Sequence, residues 1–297
     1  MKYQTTLRWL IPLLAVLALV AAAAGVFWQT AGQPYAFTSM RGETVSLLGH
    51  GLYRFDTVSM AAQEQGADVV TLVVGLPLLA VSTWLAFGGS LRGRLLLTGT
   101  LGYFLYNYLS MAFLSAYNPL FLVYVALFAL GLTGFILSML SFDLPDLRRH
   151  FSARLPRRAI AGVLFTTGGF LLLAWLGRIV PGLLQSTTPP LENTTTLVIQ
   201  AMDLGLLVPL AFLSGVLLLR GSPWGYLLAS VAVLKMLTLG AAVSAMGLSM
   251  ALSSVPDSAA ILVIFLMLTL AHLVMAVLLL SNVDAPPPAP RLAARLP

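Results

Sequence analysis

Two residues with the means to do chemistry stand where charge is least expected. Asp203 lies in the apolar run TTTLVIQAMDLGLLVPLAFLSGVLLL, and Lys235 lies in GYLLASVAVLKMLTLGAAVSAMG. An ionised side chain deep in a bilayer costs roughly 3 kcal/mol or more, so such residues face a bundle interior and find partners. An acid and a base on adjoining segments can bind a charged solute, exchange a proton, or clasp two helices together.

The elements that must position them follow from composition. The 297 residues are 59% hydrophobic and 9% charged, with a mean hydropathy of +0.94. A soluble domain carries about 25% charged residues. Too few polar groups remain to cover a water-facing surface, so lipid must cover it. The fold class expected is all-α: a polytopic transmembrane helix bundle. There are no cysteines, which excludes disulfides, thiolate zinc sites, iron–sulfur ligation and Cys nucleophiles. The net charge of +6 sits mainly in short loops beside apolar helices. That placement fits an anionic membrane face and gives no indication of nucleic acid.

About 20 apolar residues span a hydrocarbon core. Eight such runs are expected, at about 9–28, 69–87, 95–114, 120–141, 159–180, 197–219, 225–247 and 259–280, as one transmembrane domain over 1–280. The first competes with a cleaved signal peptide, because Ala21 to Ala24 offers small residues. Its length and flanking tryptophans favour a retained anchor. The outer segment 29–68 is expected to form a small hairpin around Arg41-Gly42-Glu43. A short helix N-capped by Asp56 should follow and stop at Gly66, with Asp68 capping the next span. Pro77 and Pro209 each remove a backbone donor inside a span. Residues 142–158 place Leu144, Leu147, Phe151 and Leu155 at helical spacing among five arginines. That pattern suits a helix in the headgroup layer, touching anionic lipids. The proline-rich tail 281–297 is expected to be disordered and cytoplasmic.

Eight spans place both termini on one side. Lys2, Arg8, Arg92, Arg94, the five arginines of 148–158, Arg220, Arg291 and Arg295 share that side, and only Arg41 and Arg54 face the other. The positive-inside rule then makes the shared side cytoplasmic. No clear internal repeat is legible, so an inverted-repeat transporter architecture has no support.

Helix rise converts positions into depths. Asp203 lies about 9 Å from its outer end, Asn107 about 12 Å, Lys235 about 15 Å, His272 about 20 Å and Arg178 about 3 Å. These residues, with Gln200 and Tyr103, form the candidate binding layer of the outer half. Asp203 has two candidate partners, Lys235 below and Arg178 above. If Arg178 takes it, Lys235 must be neutral, hydrogen-bonded or open to water. His272 alone is expected to be a hydrogen-bonded structural histidine, since no second histidine lies near it to share a metal. The tyrosines of the third span are expected to pack more than to cage a ligand.

Other chemistry is missing. There is no His-Glu-x-x-His, no Gly-x-Ser-x-Gly elbow and no phosphate-binding glycine loop. His50, His150 and His272 fall outside, inside and mid-membrane, which disfavours a bis-histidine haem. No cofactor and no metal is expected, and an enzyme is the third-ranked reading, through Lys235 or His272.

The run GHGLYRFDTVSMAAQEQGADVVTL, followed by YFLYNY and YNPLFLVYVALF, resembles a family of uncharacterised bacterial multi-pass membrane proteins, from Gly49 to Lys235. The resemblance implies a bacterial cytoplasmic membrane and assigns no site. The leading expectation is a carrier or permease for a small solute or ion, with residues 35–65 as a lid. The rival is a non-transporting scaffold or sensor that uses the outer segment 29–68, with the charged pair purely structural.

Overall fold

A computed structural model describes residues 1–256 and 258–283. Most of the proline-rich tail expected from Ser281 therefore lies outside the described residues. Among the described residues the regular structure is helical except for one hairpin, in which β1 (Tyr35–Thr38) pairs antiparallel with β2 (Thr44–Leu47). The long helices are α1 (Gln4–Phe27), α2 (Val58–Phe87), α3 (Leu91–Leu114) and α4 (Phe121–Leu140). A short α5 (Leu144–Arg149) leads to α6 (Arg157–Leu184), α7 (Val198–Leu219), α8 (Pro223–Leu252) and α9 (Ser258–Ser281). Among the described residues, seven helices are long and apolar enough to cross a membrane.

The long helix outside that set is α3, although it has 24 residues. Tyr103, Tyr106, Asn107 and Tyr108 make it more polar. It can carry them because α2, α4 and α8 pack around it, so its side chains meet protein more than lipid. The other hub is α8, 72% buried over its apolar stretch, against 11% for the peripheral α9.

The helix α2 corrects two expectations. It does not stop at Gly66 but runs on to Phe87. Gly66 is a contact point: a Cβ there would lie 2.8 Å from the Met246 Cα of α8. The absence of a side chain allows two backbones to approach, and sequence alone reads the same glycine as a terminator. The N-cap is Thr57, whose hydroxyl accepts from the Met60 N–H at 3.1 Å. Asp56 and Asp68 cap nothing and are buried at 3% and 1% exposure.

The basic segment also differs from its expectation. Before α6 begins at Arg157, only Leu144–Arg149 is helical. Leu147, Phe151 and Leu155 are buried in protein, and Phe151 packs on Tyr226 in a tilted pair with centroids 5.0 Å apart. Phe151 also bridges Val283, while Ser152 N–H donates to Asn282 C=O. The apolar positions anchor the segment to α8 and α9, and the arginines at 148, 149, 154, 157 and 158 remain exposed.

A repeat does exist. Pro77, Ser82, Leu85, Gly89, Ser90, Gly93 and Leu95 recur at one constant offset as Pro209, Ser214, Leu217, Gly221, Ser222, Gly225 and Leu227. The structure follows the same offset. A π-helical turn spans Thr71–Gly75 in α2 and Asp203–Leu207 in α7, each just ahead of the proline. Proline lacks the N–H that an α-helical turn needs, and a widened turn accommodates it. Gly89 and Gly221 both take positive φ, +89° and +68°. A Cβ on Gly93 or Gly225 would strike the preceding helix, at Leu85 and Leu217 respectively. The units α1–α4 and α6–α9 thus share one order. They meet with α2 on α8, the start of α7 on α3, and α3 against α8. Outside this stretch the match is structural more than sequential, which is why the repeat is hard to read from the sequence.

Candidate functional site

At the junction of the two units, Asp203 opens the π-turn of α7 and is 4% exposed. Both of its carboxylate oxygens are satisfied. Oδ1 accepts from the Tyr106 hydroxyl of α3 at 2.5 Å, and Oδ2 accepts from the Trp175 indole N–H of α6 at 2.8 Å. Lys235 of α8, also 4% exposed, places Nζ 4.1 Å from the centroid of the Tyr106 ring. One tyrosine therefore serves both charges, its hydroxyl the acid and its face the base. A cation over an aromatic face is stabilised by roughly 0.5–2 kcal/mol.

Neither expected ion pair forms. Among the described residues the one acid–base side-chain contact within 4 Å is His150–Asp146, on the basic segment. Arg178 is exposed and donates to the Pro190 C=O at 2.8 Å. It fastens the loop between α6 and α7 and leaves Asp203 alone.

The other candidates divide. Asn107 is 7% exposed, next to Tyr106 on α3, and its amide nitrogen has no partner among the described residues. Gln200 lies half-buried one turn before Asp203. Tyr103 faces α2, its hydroxyl 2.7 Å from Thr71 Oγ1. By the repeat, Thr71 and Tyr103 are the counterparts of Asp203 and Lys235, so the first unit holds a neutral version of the same junction. His272 is fully buried between α6 and α9, with Nδ1 2.9 Å from the Leu268 C=O and Nε2 3.4 Å from Thr167 Oγ1. It belongs to the helix packing. Among the described residues no group of three or more His, Asp or Glu is placed to hold a metal ion.

Sequence reasoning missed Tyr106 and Trp175. The spacing offered a signal for Tyr106, which stands beside Asn107 at nearly the same depth. Trp175 offered none, because nothing local distinguishes it from a lipid-facing tryptophan.

It also missed an acidic set on the outer side. Tyr53 donates to Asp68 Oδ2 at 2.5 Å, the Ser115 hydroxyl donates to Glu64 Oε1, and the Ala116 N–H donates to Asp56 Oδ1 at 2.7 Å. Burial pushes the Tyr53 phenol well above its ordinary value, and Asp68 adds to the shift. A cavity of about 190 Å³, lined by Asp56, Thr57, Met60, Phe113, Ala116 and Glu192 among others, opens beside this set. Its wall is knit across the repeat: Thr57 donates to Glu192 Oε2 at 3.0 Å, and Arg41 donates to the Thr195 C=O at 3.1 Å. Glu64 reads as part of a short outer helix and Asp68 as a cap, because what buries them comes from elsewhere in the chain: the α3–α4 turn on Glu64, and Tyr53 with Gly25 of α1 on Asp68.

Comparison of the chain with family models, with curated proteins and with solved structures finds no match.

Proposed function

We propose that the protein is a carrier of a small anionic solute in a cell membrane, bacterial by the resemblance noted above. The proposed topology has eight spans and cytoplasmic termini. The observation that carries this reading is the asymmetry of the central pair. Asp203 accepts two hydrogen bonds, whereas Lys235 finds no carboxylate within 4 Å among the described residues and has only an aromatic face. A lysine placed as a structural clasp gains most from direct contact with its acid. Lys235 is held near Asp203 but kept for another anion, with the amides of Asn107 and Gln200 on neighbouring turns. The eighth span is α3, the counterpart of α8, which is itself long and apolar enough to cross. Two like-oriented units meeting at α3 and α8 supply the rocking interface that alternating access needs. The exposed arginines of 148–158 suit contact with anionic lipids.

The test is uptake of a panel of small carboxylates and phosphates into proteoliposomes. Concentrative or exchange uptake in the wild type, lost in Lys235→Met, supports the carrier. Identical traces for wild type, Lys235→Met and empty liposomes remove it.

A scaffold or sensor is the second reading. It is favoured by the outer cavity, whose lining includes neither Asp203 nor Lys235. Under it, exchanging the two charges preserves stability and no solute moves.

A further inference from the structure

The α3–α4 turn holds two carboxyl groups side by side and leaves one oxygen of each without a partner. Consecutive residues do the holding, Ser115 on Glu64 Oε1 and Ala116 on Asp56 Oδ1. Asp56 and Glu64 are 3% and 6% exposed. Asp56 Oδ2 and Glu64 Oε2 are enclosed, and neither has a hydrogen-bond partner among the described residues. Because consecutive residues of one turn hold them, the two carboxyl groups are neighbours. Ionised carboxylates only accept, so they cannot bond one another unless one carries a proton. Enclosing two adjacent anions away from water is strongly unfavourable. A single proton removes both difficulties, because it supplies the missing donor and leaves one charge instead of two.

We propose that Asp56 and Glu64 form a proton-binding site that takes one proton from the outer cavity and holds it as an O–H···O bond between Asp56 Oδ2 and Glu64 Oε2. No covalent bond to carbon changes. One proton leaves water and one carboxylate becomes a carboxyl. The site goes beyond the carrier reading and does not depend on it, since Lys235 and Asp203 take no part.

The surroundings suit a proton better than a larger cation. Farther along α2, Asp68 adds another acid, bonded by Tyr53. From α4, Tyr124 is 2% exposed and its hydroxyl has no hydrogen-bond partner among the described residues. From the loop before α7, Glu192 shares the cavity wall with Asp56 and is bonded to Thr57. From α8 the neighbours are apolar: Ala245 and Met246 at Gly66, and Met250 at Ser59. The nearby bases are engaged elsewhere. Arg54 lies over Phe55 at 4.7 Å, and Arg41 bonds the carbonyls of Thr194 and Thr195. Among the described residues neither forms an ion pair with these acids. Burial pushes the Asp56 carboxyl up to about 6, although the Ala116 N–H pulls it down.

The experiment is infrared difference spectroscopy of the full-length protein in lipid nanodiscs, titrated from about pH 8 to about pH 5, above the range in which ordinary carboxyl groups titrate. The wild type should gain a protonated-carboxyl band on acidification, with proton uptake of one per chain by pH electrode. Glu64→Gln and Asp56→Asn should each lose the band and the uptake, while Asp68→Asn retains both. No band in the wild type, or a band that survives both Glu64→Gln and Asp56→Asn, overturns the site. So does a band lost only in Asp68→Asn. If the amide variants do not fold, Ser115→Ala keeps both carboxyls and removes the hydroxyl that favours ionised Glu64. The midpoint should then move to higher pH, and an unmoved midpoint overturns the proposal. Because no transported solute enters the assay, its failure leaves the carrier reading standing, and the reverse also holds.

Discussion

The Lys235 ammonium and the Asp203 carboxylate are joined through Tyr106, whose ring lies 4.1 Å from one and whose hydroxyl is 2.5 Å from the other. The arrangement spaces two opposite charges by the width of a phenol. It makes Tyr106 the residue on which both depend, and it separates two contributions that mutation can read apart.

Tyr106→Phe keeps the ring under Lys235 and removes the donor to Asp203. A buried acceptor left unpaired costs about 1–3 kcal/mol. The thermal midpoint of the detergent-solubilised protein should fall, and fall further in Tyr106→Leu, which loses the ring face as well. Equal midpoints for Phe and Leu variants would mean that the ring does nothing for Lys235.

Lys235→Met removes a buried charge that has no anionic partner within 4 Å among the described residues. Apolar replacement of buried charge is often neutral or stabilising. Its thermal midpoint should be unchanged or higher than wild type, together with lost uptake. A large fall in midpoint would make Lys235 a structural clasp after all.

Gly66→Ala should destabilise by about 2 kcal/mol, the scale of an overpacked contact. The new Cβ would meet Met246 backbone at 2.8 Å, and backbone cannot rotate away. Gly162→Ala is the control, since nothing lies within 4 Å of its added Cβ. Paired unfolding curves that coincide would refute the close approach of α2 and α8.

Stability should depend on pH through Asp56. Its carboxyl is raised from 3.8 to about 6 on folding, so the folded state binds the proton more tightly than the unfolded chain. Stability from this group is full below the unfolded value and is lost as pH rises through about 6. Inactivation at fixed temperature should be slower at pH 5 than at pH 8, by a margin that vanishes in Asp56→Asn. Equal inactivation rates at the two pH values in the wild type would show the carboxyl ionised throughout.

The chain has no cysteine, so single cysteines report sidedness without a background. If α3 crosses, Gly88→Cys and Tyr117→Cys, on exposed residues at its two ends, should react with an impermeant maleimide from opposite faces of the membrane. Labelling of both from one face would reduce the spans to the seven apolar helices and break the symmetry of the two units.

Much of the architecture is written in composition and periodicity. Apolar runs long enough to span, broken by Gly-Ser turns and basic loops, specify a multi-pass helical bundle because lipid forces every backbone donor into a helix. The hairpin at 35–47 and the proline disturbances at 77 and 209 are equally local, and each was legible. The partners of the charges were not. Asp203 and Lys235 announce themselves because charge is rare in such segments, but depth along a helix says nothing about rotation around it. Rotation put Tyr106 and Trp175 on Asp203 and turned Tyr103 toward Thr71. Gly66 and the acids Asp56, Glu64 and Asp68 show the same limit. A glycine is a stop or a contact, and an acid a cap or a buried site, according to what packs against it. Here α8 made that choice for Gly66, the α3–α4 turn for Asp56 and Glu64, and α1 with Tyr53 for Asp68.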